Sequence, residues 1–267
     1  GHLETDHNIT SLTLTGSMDA RDFKFISTSL RNIETLDLSA VTIQAYENLS
    51  APVFGNEYSY AASVVPTMAL AGMPQLTTVT LPHSATSLGS AALAACPSLS
   101  PVTMSDALVN VGEYAFSACT SLENVTLPAS LATVGQGAFS RCTRLATVGV
   151  AASGAPAQEL TIGDEAFLDC QALTQVNLGD NLTAIGNSAF AGTALTVLDL
   201  TQYKNLKSIG DWAYTLSQVT SATFPASLNH LGKGAFIYNQ RLNSASLPAG
   251  LDHVGDFTFA FGDILCT

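Results

Sequence analysis

The chain has 267 residues, 47% of them apolar and only 11% charged, with a formal net charge of −12. An average soluble domain is roughly 25% charged; a surface this poor in charge must be covered by Ser, Thr, Asn, Gln and Gly, which suits secreted or surface β-rich proteins better than cytosolic enzymes. The acidic balance and the lack of a basic patch exclude nucleic-acid backbones and anionic membrane surfaces as partners, and no apolar stretch approaches the ~18 residues that span a bilayer.

Residues 1–32 read as an N-terminal cap and first coil. "ITSLTL" (Ile9 to Leu14) is a strand-like front half, and "DARDFKFISTSL" (Asp19 to Leu30) has apolar spacing compatible with a short helix. Residues 33–267 read as one continuous repeat domain. "IETLDL" (Ile33 to Leu38) is a front half, and an irregular stretch, Ser39 to Val64, separates it from "VPTMALAGMP" (Val65 to Pro74), a back half. From there the chain repeats in phase. Leu76, Leu99, Leu122 and Leu145 follow at intervals of 23, and Leu173, Leu195, Val219 and Leu242 at 28, 22, 24 and 23. The longest interval holds an insertion around "VAASGAPAQEL" (Val150 to Leu160). An aliphatic-Gly pair recurs in the same register, as in Val111-Gly112, Val134-Gly135 and Ile185-Gly186. A small-plus-large pair follows it, as in Ala115-Phe116, Ala138-Phe139 and Ala189-Phe190.

Counting from the leading Leu of "LENVTLPASLATVGQGAFSRCTR" (Leu122 to Arg144), places 4 and 6 are apolar and alternate with polar places 3 and 5, the period of a strand. Pro128 ends that strand, since it has no N–H for a ladder. The Val134-Gly135 step predicts a second short extended piece and a bend, with Gly read as supplying positive φ. "GQGAFSRC" predicts a single helical or 3₁₀ turn. One unit cannot bury its own apolar face; stacked units can, with the Leu, Val and Phe columns forming one continuous core.

These columns match LxxVxLPxSLxxIGxxAFxxCxx, and the chain resembles the BspA-like leucine-rich repeat found in surface proteins of Bacteroidales. The opening stretch from Leu12 to Ile43 also resembles the start of those proteins. The resemblance implies a right-handed leucine-rich-repeat solenoid of α/β type dominated by β structure, with short parallel strands on one face and turns and short helical pieces on the other. It also implies a chain that is secreted or displayed at the cell surface, its signal segment removed. Some relatives are adhesins, and the family brings no catalytic motif. This chain departs from the pattern where the LP step is missing, after Met104, Val150, Leu178 and Leu200. The Cys column also lapses, at Thr193, Ser217, Asn239 and Gly262.

Cys96, Cys119, Cys142 and Cys170 occupy one column. They read as buried free thiols rather than disulfides or metal ligands, because later coils replace them freely. Cys266 stands apart. His230 and His253, 23 residues apart, should stack on adjacent coils; they are a weak candidate metal pair, and a solvated pair is the preferred reading. His2, His7 and His83 lie off that column. Ser, His and Asp are scattered without phase, so no catalytic triad, cofactor or enzymatic activity is expected. The outward strand places form a weakly charged docking surface, with Glu123, Asn124, Gln175, Asn177 and Asp199 as its contacts. Aromatics off the core columns, Tyr58, Tyr60, Tyr203 and Trp212 foremost, with Tyr46 and Tyr238, form a rival surface. In the last coil, Phe257, Phe261, Ile264 and Leu265 either fold over the open end or meet another molecule. The function expected is a non-enzymatic, monomeric binding protein for a host or bacterial surface protein or glycan. A structural cell-envelope spacer and a carbohydrate-binding accessory protein are the alternatives.

Overall fold

The computed structural model describes residues 9–151 and 158–262, and the backbone of 265–266. His2, His7, Ile264 and part of the insertion after Val150 lie outside the described residues, as do the side chains of Leu265 and Cys266.

The fold is a parallel β-solenoid. Each regular coil contributes a front strand from places 3 to 6 and a short rear strand from the aliphatic-Gly step. The rear strands form one nine-stranded parallel sheet running from Val64–Val65 to His253–Val254. The front strands stack in register, so that Val125, Val148 and Val176 lie over one another, as do Val134 and Ile162 at the rear. The second extended piece read from the sequence is therefore a strand in its own right.

At the N-terminus, strand Ser11–Met18 pairs in parallel with Thr35–Ile43, and helix Ala20–Ser29 lies between them in sequence. Asp19 caps the helix, accepting from Arg21 N–H at 2.9 Å, while Asp22 accepts from Asp19 N–H at 2.9 Å. Two N–H groups that have no partner within the helix are thereby satisfied. Ala20, Phe23 and Ile26 face the core. Within the irregular stretch Ser39 to Val64, Tyr46–Glu47 and Ser59–Tyr60 form a small antiparallel pair.

The interior is an aromatic ladder. Phe116, Phe139, Phe167, Phe190, Tyr214 and Phe236 stack with centroids 5.1 to 5.3 Å apart and planes within 9°. Parallel rings at that spacing are offset, the favourable arrangement for aromatic quadrupoles. Phe259 extends the ladder at 5.7 Å.

Two local expectations are corrected. The "GQGAFSRC" segments form no helical turn; among the described residues the one helix is Ala20–Ser29. They are linked turns whose alternate N–H groups point to the next coil. Tyr114, Phe116 and Ala118 donate to the carbonyls of Gln136, Ala138 and Ser140 at 2.7–2.8 Å, while Ala115, Ser117 and Cys119 close local turns. This alternation needs two left-handed residues per coil, four apart, such as Tyr114 (φ 55°) and Ala118 (φ 60°). It satisfies a buried backbone through the neighbouring coil, which a helical turn with internal bonds would not. The second correction concerns the glycine of the aliphatic-Gly step, which is not at positive φ. Its role is close approach: a Cβ on Gly186 would sit 2.6 Å from the backbone of Gly163 and Asp164, and one on Gly112 would sit 2.5 Å from the Leu88 carbonyl oxygen.

Among the described residues no helix is long and apolar enough to cross a membrane. Phe257 and Phe261 occupy left-handed turn positions and are about two-thirds exposed (65% and 66%), so their side chains face solvent rather than folding over the end of the stack.

Candidate binding cleft

The rear sheet is unbroken, but the front sheet falls into segments. One break lies between Val102–Thr103 and Asn124–Leu127. The other lies between Gln175–Asn177 and Val197–Asp199. It coincides with a corner one residue shorter than its predecessor: five positions separate Phe190 from Leu195, against six from Phe167 to Leu173. In two other coils the place-6 N–H donates to the following front strand, Leu81 to Thr103 and Leu200 to Thr223. At the second break Leu178 N–H donates instead to the Tyr203 hydroxyl, at 3.3 Å, and that hydroxyl donates to the Val176 carbonyl at 3.3 Å. A tyrosine thus replaces the missing strand partner.

Above this break lies a cleft of about 560 Å³. Four successive coils contribute their outward places to it: Asn124 and Thr126, Thr147 and Gly149, Gln175 and Asn177, Val197 and Asp199. The walls are Val176, Leu198 and Val197, the last 66% exposed on an otherwise polar face, and the deeper lining reaches Phe190 and Tyr214 of the aromatic ladder. Gly149 leaves a gap in the outward column, and a Cβ built there meets nothing within 4 Å.

The rim is fixed by short-range hydrogen bonds. Asn177 Oδ1 accepts from Gly179 N–H at 3.2 Å. Asn124 Oδ1 accepts from the Thr147 hydroxyl. Asp199 Oδ1 accepts from the Thr201 hydroxyl (2.6 Å), Thr201 N–H (3.1 Å) and the Thr223 hydroxyl (3.0 Å). The Thr201 hydroxyl above all, then the Thr201 N–H and the Thr223 hydroxyl, holds the Asp199 carboxyl below the usual aspartate range, so the cleft carries one firmly ionised group.

Four of the five outward residues singled out from the sequence, Asn124, Gln175, Asn177 and Asp199, therefore line one cleft. Glu123 stands beside it, paired with Arg144 over a shallow hollow that Asn124 shares. The aromatic surface expected from Tyr58, Tyr60, Tyr203 and Trp212 does not exist as one. Tyr60 is buried, accepting from Phe54 N–H at 2.8 Å and donating to the Glu57 carbonyl at 2.7 Å; it holds its loop together. Tyr203 is only 3% exposed and forms the floor of the cleft. Tyr46 is half-buried beneath the Arg21 guanidinium, 4.6 Å above its ring. Tyr58 is exposed on the irregular stretch, while Trp212 and Tyr238 are exposed on the turns, where Tyr238 stacks on Phe261 at 5.0 Å.

Cleft residues not singled out from the sequence include Val197, Gln202 and Gly149. An aliphatic and a glycine within a polar outward column were the available signal for two of them.

His230 and His253 are exposed and stacked, with centroids 4.6 Å apart and planes 9° apart. The nitrogen lone pairs lie in the ring planes, so in parallel rings they do not converge on one ion. Among the described residues no group of three or more His, Cys, Asp or Glu is placed to hold a metal. Cys96, Cys119, Cys142 and Cys170 are buried free thiols, each donating to a carbonyl of the preceding coil at 3.1–3.2 Å. Ser217 and Asn239, further along the column, donate in the same manner to Phe190 and Tyr214.

A family model described as the BspA type leucine rich repeat region matches residues 57–159 and 150–264, in six copies. Similar solved structures include a leucine rich cell surface protein from Faecalibacterium prausnitzii, at 22% identity over 78% of this chain and 70% of that chain (TM-score 0.46). The pneumococcal vaccine antigen PcpA is 19% identical over 77% of this chain and 61% of that chain (TM-score 0.50), a likeness of fold alone. A leucine rich repeat protein of T. pallidum is 28% identical over 48% of this chain and 69% of that chain (TM-score 0.36). No curated protein matches the chain.

Proposed function

Because the chain belongs to the BspA-type leucine-rich-repeat family, we propose that it is a non-enzymatic, adhesin-like binding protein, secreted or displayed at a bacterial surface, that holds a protein or glycan partner on its front sheet. The observation that carries this reading is the convergence of outward residues from four coils on one cleft of about 560 Å³, within the range of small-ligand sites. A stack of coils needs no such feature: the same front strands pair without a break from Val197–Asp199 onward through Ser221–Thr223 and Ser244–Ser246. Surface display is supported by the low charge of the chain and by the kinship of its repeats, one similar structure being itself a cell surface protein.

The test uses Gly149→Tyr. The backbone at Gly149 is not in the left-handed region and its Cβ direction is open, so the variant should keep its melting temperature while its ring fills the mouth of the cleft. Arrays of host proteins and glycans should give saturable binding to the parent chain that the variant loses. Binding that survives Gly149→Tyr moves the site elsewhere; the absence of any saturable ligand favours a structural spacer.

A further inference from the structure

We infer that the cleft takes an uncharged, polyhydroxylated ligand, a neutral sugar unit of a glycan. This rests on the reading of the front-sheet cleft as the binding site and narrows it to a ligand class.

The first argument concerns what an extended peptide would need. Strand addition uses unpaired backbone N–H and C=O groups at a sheet edge. At this break the groups nearest the floor are already engaged: Tyr203 Oη accepts from Leu178 N–H and donates to the Val176 carbonyl. On the Gln175–Asn177 side, the Tyr203 side chain therefore takes two of the backbone positions that an added strand would use.

The second argument concerns the rim. An N–H can only donate, so the bond from Gly179 N–H identifies the accepting atom of Asn177 as its oxygen and turns the amide NH₂ away from that contact. Across the break, at the same place of the next coil, Asp199 lines the cleft and engages Oδ1 three times, which leaves Oδ2 available as an acceptor. A donor on one wall and an acceptor-only oxygen on the other are satisfied together by groups that both accept and donate. Hydroxyls do this, and a sugar presents several on one ring. Gln175 adds a further amide on the Asn177 strand. Val176 and Val197 supply an apolar strip against which the C–H face of a pyranose can lie.

The third argument is charge. Asp199 is ionised, the nearby Arg144 is paired with Glu123, and the whole chain carries −12. A uronic or sialic acid would bring a second carboxylate next to Asp199 with no cation among the cleft residues, so acidic sugars are disfavoured.

The experiment is titration calorimetry of the full chain with neutral oligosaccharides, their sialylated or uronate counterparts, and a set of peptides and deglycosylated host proteins. The parent chain should bind a neutral saccharide at least about tenfold more tightly than its acidic counterpart. Asn177→Ala and Asp199→Asn should each weaken that binding by about tenfold or more, and Gly149→Tyr should abolish it, with melting temperatures unchanged. Asp199→Asn keeps an oxygen for the two threonines, so its folding is not at stake. Preference for an acidic saccharide overturns the inference. A peptide or deglycosylated protein that binds saturably and is lost with Gly149→Tyr overturns the sugar assignment but leaves the cleft as the binding site. Saccharide binding indifferent to all three substitutions overturns both readings.

Discussion

At the scale of single residues, each recurrent small or strained position has its own cause. A left-handed non-Gly residue costs roughly 1–2 kcal/mol, yet Met68, Tyr114, Trp212, Leu216, Tyr238, Phe257 and Phe261 all adopt positive φ and are exposed. Leu216 (φ 54°) has no ring to stack on a neighbour and is 62% exposed. Leu216→Asn should therefore raise stability by about 0.5–1 kcal/mol, because Asn tolerates the left-handed region far better; a thermal melt should move upward by a degree or two. The glycine of the aliphatic-Gly step behaves oppositely. Gly186→Ala pushes a methyl into the backbone of Gly163 and Asp164 and should cost about 2–3 kcal/mol, read as a lower denaturation midpoint at unchanged m. The sequence made this glycine column visible but not its reason: recurrence says that a side chain is forbidden, whereas only the packed coils say what it would strike.

At the scale of the coil, what was legible follows from periodicity. Alternation at places 3 to 6 of the front strand separates core from surface without knowledge of neighbours, so Asn124, Gln175, Asn177 and Asp199 could be placed on one face. Tyr203 could not. It lies in "TQYKNLKSIG" (Thr201 to Gly210), which carries two more residues between Leu195 and Ile209 than the matching span of Leu122 to Val134. Outside the repeat phase, nothing in the sequence says that its hydroxyl stands in for a strand. The free replacement of the Cys column in later coils points to packing, and the bonds add a donor requirement. Cys142 donates to the Phe116 carbonyl at 3.1 Å, which also accepts from Cys119 N–H at 3.2 Å, so Cys142→Ser should be tolerated while Cys142→Val removes one of that carbonyl's two bonds at about 0.5–1.5 kcal/mol. Comparing the two in urea separates donor from volume: equal midpoints would return the column to packing alone. The aromatic column sets the larger scale. Phe139 stacks on both Phe116 and Phe167, and Phe139→Ala should cost about 3–5 kcal/mol, where Thr126→Ala on the outward face should cost little. Similar melting temperatures for those two variants would contradict the shared interior.

At the scale of the whole molecule, stability in a stack is carried coil to coil, and four consecutive coils hold groups that make it sensitive to alkali. Burial first of all pushes the Cys96 thiol up to about 11 and that of Cys170 up to about 12, and it raises Cys119 and Cys142 further. Burial also raises the Tyr214 hydroxyl within the ladder. Free thiols titrate near 9.0. Below that pH both the folded and the unfolded chain hold the protons, and the thiols leave stability independent of pH. Above it the unfolded chain releases protons that the folded chain retains, so stability falls with rising pH until the folded thiols ionise in turn. Each such thiol contributes a slope of up to about 1.4 kcal/mol per pH unit. The window therefore opens near pH 9 and extends to 11 or 12 for Cys96 and Cys170. The later coils carry Thr193, Ser217 and Asn239 in the same column, and none of these side chains titrates there. Thermal melts from pH 8 to 11 should show the decline, and Cys142→Ser should make it shallower by one thiol's share. A melting temperature flat across that range would mean that the thiols are not held protonated inside the stack.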